Sequence, residues 1–383
     1  MSTVTIPTTT EAYRLRSFSK DLNGLVLDTS VSLPRPEQLR PKQVLVRIHA
    51  VSLNARDYQI ATATYPAPTS PPAGLIPVSD GAGEILAVGP DVTNVKVGDR
   101  VVTHMCAPWT HGEIGNEMQA TALGGGVDGV LARHAVLDQG NVLVIPDSMS
   151  FREASTLPVA GLTAFHCLFG FSKTVQPGQT VLIEGTGGVS LAALQLTLSA
   201  GARPIVISSS DEKLSICQQL GAAPGDCINY STDKKWWETV KALTHRAAGV
   251  DHTIEIAGGR TMIKALMCTK AYGSMWVVGY MDDYKSSAEA EAEADDGLPD
   301  PAKAVLYSQA HIQGVMCGSY ALFQQFLEAH RSAHLRFQQG LASTNILKPY
   351  LPENQIFAFQ DAKRAFEVLG SGRFVGKIVI DVD

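Results

Sequence analysis

The stretch VLIEGTGGVSLAALQLTLSAGARPIVISSSDEKL, residues 181–214, decides the architecture of the middle of the chain. It opens as a β-branched strand that stops at Gly185 and turns through Gly187 and Gly188. An apolar helix, VSLAALQLTLSAG, follows, then a second strand, RPIVISS, and a second helix, DEKLSICQQLGA. A strand, a glycine turn and a helix in that order aim free backbone N–H groups at negative charge. The glycines also let the backbone close on a pyrophosphate. Gly185, Gly187, Gly188 and the adjoining Val189 are therefore candidate dinucleotide-binding residues, against the plainer reading of a structural turn. Ser190 stands where a strict GxGxxG carries its last glycine, a mild departure.

Roughly twenty residues past the turn, an acid would select an unphosphorylated ribose. The chain has Ser208, Ser209 and Ser210 there, with Lys213 following. Neutral donors and a cation suit a 2′-phosphate, so the expected cofactor is NADP(H). Asp211 and Glu212 carry the competing reading, as a helix cap or as acids favouring NAD. Tyr230, ending a short strand, either packs beside the adenosine phosphate or is an ordinary strand aromatic.

The alternation continues with strands expected at 227–230, 250–256 and 273–279 and a helix at 260–269, which together read as a doubly wound parallel sheet. Upstream, VLVRIHAVSL (44–53), VGDRVVTH (97–104) and residues 129–147 hold short strands punctuated by Gly, Asp and Asn. They read as a folded-over, barrel-like β domain. Ser150 and Glu153 form a capping-box pattern for a helical stretch that Pro158 should divide. AHIQGVMCGSY (310–320) reads as a buried strand. The tail carries an amphipathic helix near 361–369 and an alternating final strand, in the texture of the first domain. Residues 285–302, acidic and alanine-rich without an apolar stripe, read as a surface insertion rather than a weak exposed helix.

With 383 residues, 45% apolar and 18% charged, the chain can bury cores for two or three domains. Its net charge of −6 and lack of a basic run speak against nucleic acid as a partner. No apolar run reaches membrane length, so no membrane association is expected. Six scattered cysteines without a CxxC, and an opening without a signal or transit pattern, point to a reduced, cytoplasmic setting.

Taken in order, SLNARD (52–57), PVSDGAGEILAVG (77–89), VGDRV (97–101), LPVAGLTAFHCL (157–168), GTGGVS (185–190), SSSDEKL (208–214) and GRFVGKIVI (372–380) resemble the medium-chain dehydrogenase/reductase superfamily. The likeness spans nearly the whole chain and is nearest to the zinc-free quinone-reductase-like and enoyl-reductase-like branches. It implies an α/β protein with a GroES-like β-barrel-type domain from residues 1–153 and 321–383. A Rossmann nucleotide-binding domain at 154–320, carrying the acidic insertion, would lie between them. The resemblance also implies hydride transfer, a small-molecule substrate held in a cleft, and a homodimer for which IQGVMCG (312–318) matches the edge region. The metal-ligand positions of zinc members fall here on Asn54, on Ser79 followed by Asp80, and on Val159, and the four-cysteine structural lobe is missing. Zinc takes three protein ligands plus water, so no metal is expected. His104, His111 and Glu113 read as polar or substrate-contacting residues rather than an improvised site.

The activity expected is therefore NADPH-dependent, zinc-independent reduction of an activated C=C bond or a quinone. A zinc-free alcohol dehydrogenase and a non-catalytic NADPH-binding sensor or scaffold are the alternatives. By resemblance, Tyr65, eleven residues after Asn54, matches a proton-donating tyrosine of the enoyl-reductase branch; packing against Pro66 and Pro68 is its structural alternative. Asn54 would orient the nicotinamide or donate to the substrate oxygen. Ala55 stands where many quinone-reductase-like members carry an aromatic residue, and Arg56 with Asp57 reads as a pair fixing this loop. Thr163, Gly279, Tyr280, Gly318, Ser319 and Lys377 match positions near the cofactor.

Overall fold

The computed structural model describes residues 6–66, 71–280, 297–343 and 345–383. Most of the acidic stretch, residues 285–296, and part of the loop after Tyr65 lie outside them. Strands β1 (Thr9–Leu15), β2 (Leu25–Ser32), β3 (Gln43–Leu53), β4 (Asp80–Val88), β5 (Arg100–Thr103), β6 (His134–Asp138) and β7 (Val142–Val144) come first. Next come β8 (Thr180–Glu184), β9 (Arg203–Ser208), β10 (Cys227–Asn229), β11 (Val250–Glu255), β12 (Thr269–Val277) and β13 (His311–Gly314). Last are β14 (Ile356–Ala358) and β15 (Ile378–Asp381). The chain divides into two compact units, Met1–Leu162 with Cys317–Asp383, and Thr163–Met316.

The first unit is the GroES-like β unit. Its main sheet runs β14-β15-β3-β4-β5-β7, with β6 also on β3, while β1 and β2 pair separately. The eleven-residue β3 is the spine, because its first half pairs β6 and its last residues pair β15. Val44, Val46 and Ile48 alternate inward onto one core with Ile85, Leu137, Ile378, Ile380, Phe359 and Phe366. The helix Ala362–Ser371 adds to that core by burying Ala362, Ala365, Phe366 and Leu369 along one stripe. Burial of each large apolar side chain contributes about 1.5–3 kcal/mol.

The helical stretch after Ser150 does break at Pro158. Phe151–Ser155 is α-helical, Leu157–Gly161 widens into a π turn, and Leu162–Phe169 resumes the α-helix. Proline lacks the N–H that the α ladder needs, and the wider turn absorbs the defect.

The second unit is the Rossmann unit, a parallel sheet in the order β10-β9-β8-β11-β12-β13. The order reverses between β8 and β11, the kind of position where open α/β sheets bind ligands beyond their strand ends. One expectation needs correction here. The apolar segment 310–320 is not a buried strand, since among the described residues β13 is outermost, pairs only with β12, and exposes His311, Gln313 and Gly314. An edge strand has one neighbour to cover it, and a short apolar run reads alike in either position.

Candidate active site

In the β unit, the register of three strands gathers a polar cluster. Leu53 pairs with Ile378 across β3 and β15, and Ser52 pairs with Asp80 across β3 and β4. The residues next along the chain, Asn54 and Lys377, are thereby brought beside Asp80. Lys377 Nζ donates to Leu53 O at 2.7 Å and to Asn54 Oδ1 at 2.5 Å, and lies 3.5 Å from Asp80 Oδ2. Asp80 is committed on both oxygens. Oδ1 accepts from Ser79 Oγ at 2.7 Å, and Oδ2 accepts at 3.2 Å from the Val159 N–H in the π turn. Asn54 also starts the helix Ala55–Ala61, and its backbone N–H donates to Asp57 Oδ2 at 2.8 Å.

Asn54, Asp57, Ser79, Asp80 and Lys377 are all buried. Burial pushes the Asp57 carboxyl up to about 6, against the downward pull of Arg56. Arg56 Nη1 lies 3.6 Å from Asp57 Oδ1 and donates to Leu123 O at 3.0 Å. Burial also draws the Lys377 amine below the ordinary lysine range, while Asp80 and Asp57 pull it back up. The Asn54 amide nitrogen has no acceptor among the described residues. A buried donor left in that state costs about 1–3 kcal/mol.

Tyr65 joins this cluster through Arg56, whose guanidinium carbon sits 5.8 Å from the tyrosine ring centroid. Gly318 and Ser319 are also in the β unit. Gly318 O is 3.0 Å from His104 Nε2, and Ser319 Oγ caps the helix Tyr320–Gln338 by accepting from Leu322 N. His104 is buried, while His111 and Glu113 are exposed. Among the described residues no three His, Cys, Asp or Glu side chains gather as a metal set. Burial pushes the Cys106 thiol up to about 11 and raises that of Cys317 as well, so both stay protonated. A carboxamide, a hydroxyl and a valine, wired around a lysine amine, do not fit zinc, which takes thiolate, imidazole and carboxylate ligands.

In the Rossmann unit, Gly185 follows β8 with φ of +69°, a conformation costly for side chains other than glycine. Its N–H bonds Ile207 O at 2.7 Å, which ties the turn to the end of β9. Gly187 precedes the helix Gly188–Ser199, which has no side-chain cap, so the N–H groups of its first turn, Gly188 and Val189 included, have no cap acceptor. Ser190 Oγ donates to Glu184 O at 2.7 Å and fixes the helix to the strand in place of the usual glycine contact. Ser208 is the last residue of β9, Ser209 is exposed, and Ser210 caps the helix Asp211–Gln219 through Lys213 N. Lys213 is half-buried, and burial lowers its pKa. Tyr230 is exposed just past β10, and its N–H bonds Ser208 O at 3.0 Å. Gly279 and Tyr280 follow β12, where a Cβ on Gly279 would meet Ile256 O at 2.5 Å. Thr163 is buried in the helix Leu162–Phe169. An open helix N-terminus, a left-handed glycine and a serine-lined strand end fit a phosphorylated dinucleotide.

Sequence reading overlooked one feature of this unit. Glu184 and Glu255 end β8 and β11, neighbours at the reversal point, and both are buried. Glu184 Oε2 accepts from Ile256 N at 3.2 Å, and Glu255 Oε1 accepts from Ala257 N at 3.0 Å. Burial first, then the Glu255 charge, raises the Glu184 carboxyl well above the usual carboxylate range. An acid directly before a glycine turn was the signal available in the sequence.

Such an acid holds its proton more tightly folded than unfolded. Its stabilising contribution is complete below the usual carboxylate value and is lost as pH rises through the raised one. Glu184→Gln keeps an acceptor for the Ile256 N–H and offers Glu255 a permanent donor. It should stabilise the protein by about 1–3 kcal/mol at alkaline pH and by less at pH 5. Thermal melts at both pH values check this, and an equal or lower melting temperature at pH 8 would refute the raised Glu184 carboxyl.

The chain matches two family models, described as "Alcohol dehydrogenase GroES-like domain" over residues 40–147 and "Zinc-binding dehydrogenase" over residues 188–332. A zinc-type alcohol dehydrogenase-like protein of Schizosaccharomyces pombe is 34% identical over 349 residues, 91% of this chain and 93% of that one. The crystal structure of an alcohol dehydrogenase-type protein from Sinorhizobium meliloti superposes with a TM-score of 0.82 at 29% identity. It covers 99% of this chain and 100% of its own. The Escherichia coli quinone oxidoreductase, solved with NADPH, gives 0.72 at 20% identity over 97% and 100%, a likeness of fold.

Proposed function

Because the chain belongs to the medium-chain dehydrogenase/reductase superfamily, oxidoreductases that use a nicotinamide cofactor, we propose that it is an NADPH-dependent reductase of enones, enoyl compounds or quinones that works without zinc. The observation that supports this best is the Asn54 amide, buried, with its oxygen engaged by Lys377 and its nitrogen without an acceptor among the described residues. A donor preset in a dry site is the alternative to a Lewis acid for stabilising an oxygen that gains negative charge.

In this reading, Gly185, Gly187, Gly188 and Val189 receive the pyrophosphate. Ser208, Ser209, Ser210 and Lys213 receive the 2′-phosphate, and Tyr230 lies beside it. Thr163, Gly279, Tyr280, Gly318, Ser319 and Lys377 belong to the nicotinamide end. The cofactor, when bound, supplies a hydride. Asn54 Nδ2 donates to the substrate carbonyl oxygen as its charge develops, which lowers the barrier to hydride arrival at the β-carbon. The Tyr65 hydroxyl then supplies the proton that completes reduction. The Arg56 guanidinium carbon, 5.8 Å from the ring centroid, holds the tyrosine beside the Asn54 cluster.

The test is NADPH consumption with a panel of quinones, enones, enoyl thioesters and ketones. Turnover with the conjugated acceptors is expected, and exclusive turnover of simple ketones would replace this reading with an alcohol dehydrogenase. Tight NADPH binding without turnover of any of them would replace it with a sensor. Tyr65→Phe should lower kcat about 10²-fold, the scale of a positioned acid. Unchanged turnover in that variant removes Tyr65 from the mechanism. Among the described residues no helix is long and apolar enough to cross a membrane, and the six free cysteines fit the cytosol as its location.

A further inference from the structure

Lysine is seldom fully enclosed in a protein unless its amine is paired. Lys377 is enclosed, and each of its close partners is an acceptor: Leu53 O, Asn54 Oδ1 and Asp80 Oδ2. An amine in either protonation state donates N–H here, and a charged one accepts nothing. Asn54 must therefore turn its oxygen toward Lys377 and its nitrogen away. The nitrogen then has no acceptor among the described residues, while the amine that holds the oxygen also meets two further acceptors, Leu53 O at 2.7 Å and Asp80 Oδ2 at 3.5 Å. Without the lysine, those two acceptors would be open to the Asn54 N–H groups, and the amide would rotate onto them.

We propose that Lys377 is a positioning residue that fixes the rotation of the Asn54 amide, so that Nδ2 is presented to the substrate oxygen and cannot be quenched by Asp80 or Leu53. The inference rests on the proposed role of Asn54 as the carbonyl donor. It also explains the misfit with zinc. The three positions that match metal ligands, 54, 79 and 159, are held together by a lysine–aspartate pair, with Asp80 gripping Ser79 and the Val159 N–H and Lys377 gripping Asn54. The cation that organises this point of the fold is covalently part of the chain.

The experiment is a double-mutant cycle on enone reduction with NADPH. Lys377→Met should lower kcat about 10–100-fold, the usual loss when a residue that orients an active group is removed. The loss should fall on kcat, with KM for the enone little altered. In the Asn54→Ala background, Lys377→Met should cause no further loss, because the amide it orients is gone. Lys377→Arg, which keeps the donor, should recover part of the rate. If Lys377→Met is poorly folded because Asp80 is left unpaired, Lys377→Met with Asp80→Asn replaces it in the cycle. A full additive loss in the Asn54→Ala background would overturn the proposal, as would wild-type kcat in a folded Lys377 variant. If Asn54→Ala itself keeps full kcat, the role assigned to Asn54 fails first and the inference falls with it.

Discussion

Replacing Asn54 by alanine lowers kcat for enone reduction by about 10²–10³-fold, the loss seen when one preset oxyanion donor is removed. NADPH binding should change far less than kcat, because the role assigned to Asn54 is to the substrate oxygen. The protein should not be destabilised by a comparable amount. The alanine removes a buried N–H pair that has no acceptor among the described residues, although it also strips Lys377 of one of its acceptors. Steady-state kinetics beside an NADPH titration separates the effects. A fall in kcat with far less change in cofactor affinity is the expected result. A parallel loss of both would mean that Asn54 is a structural cap of the helix Ala55–Ala61 and nothing more.

The second large effect concerns cofactor choice. Ser208 closes β9 beside the glycine turn, since Gly185 N bonds the carbonyl of the residue before it. An aspartate there would face a 2′-phosphate dianion but would accept both hydroxyls of an unphosphorylated ribose. Like charges brought together at a binding site cost several kcal/mol, so Ser208→Asp should weaken NADPH about 100-fold or more. NADH should bind as tightly as before or more tightly. Equal affinities of wild type and variant for NADPH would show that the 2′-phosphate does not lie at this strand end.

The Rossmann unit was legible because its information is local. Strand, turn and helix between residues 181 and 214 each carry their own period, and the glycines sit where one period gives way to the next. The strand 311–314 was misjudged because an apolar run does not say how many neighbours will flank it. The helix Tyr320–Gln338 went unread, although Phe323, Phe326, Leu327 and His330 fall on one helical stripe. Its capping residue, Ser319, lies inside the run 310–320 read as strand, so the boundary was hidden.

The candidate site was less legible for a different reason. Asn54 and Lys377 are 323 residues apart, and only the registers of β15 and β4 on β3 bring them and Asp80 together. No spacing along the chain encodes that meeting. The Glu184–Glu255 pair is hidden in the same way, because a parallel pairing across the reversal point joins residues 71 apart along the chain.

The most direct test follows the hydride itself. Wild-type protein, NADPH carrying deuterium at the transferable nicotinamide position, and an enone are mixed, and the product is read by NMR. The account predicts a saturated ketone with deuterium on the β-carbon. Deuterium on the carbinol carbon of an allylic alcohol, or none in any product, would contradict it.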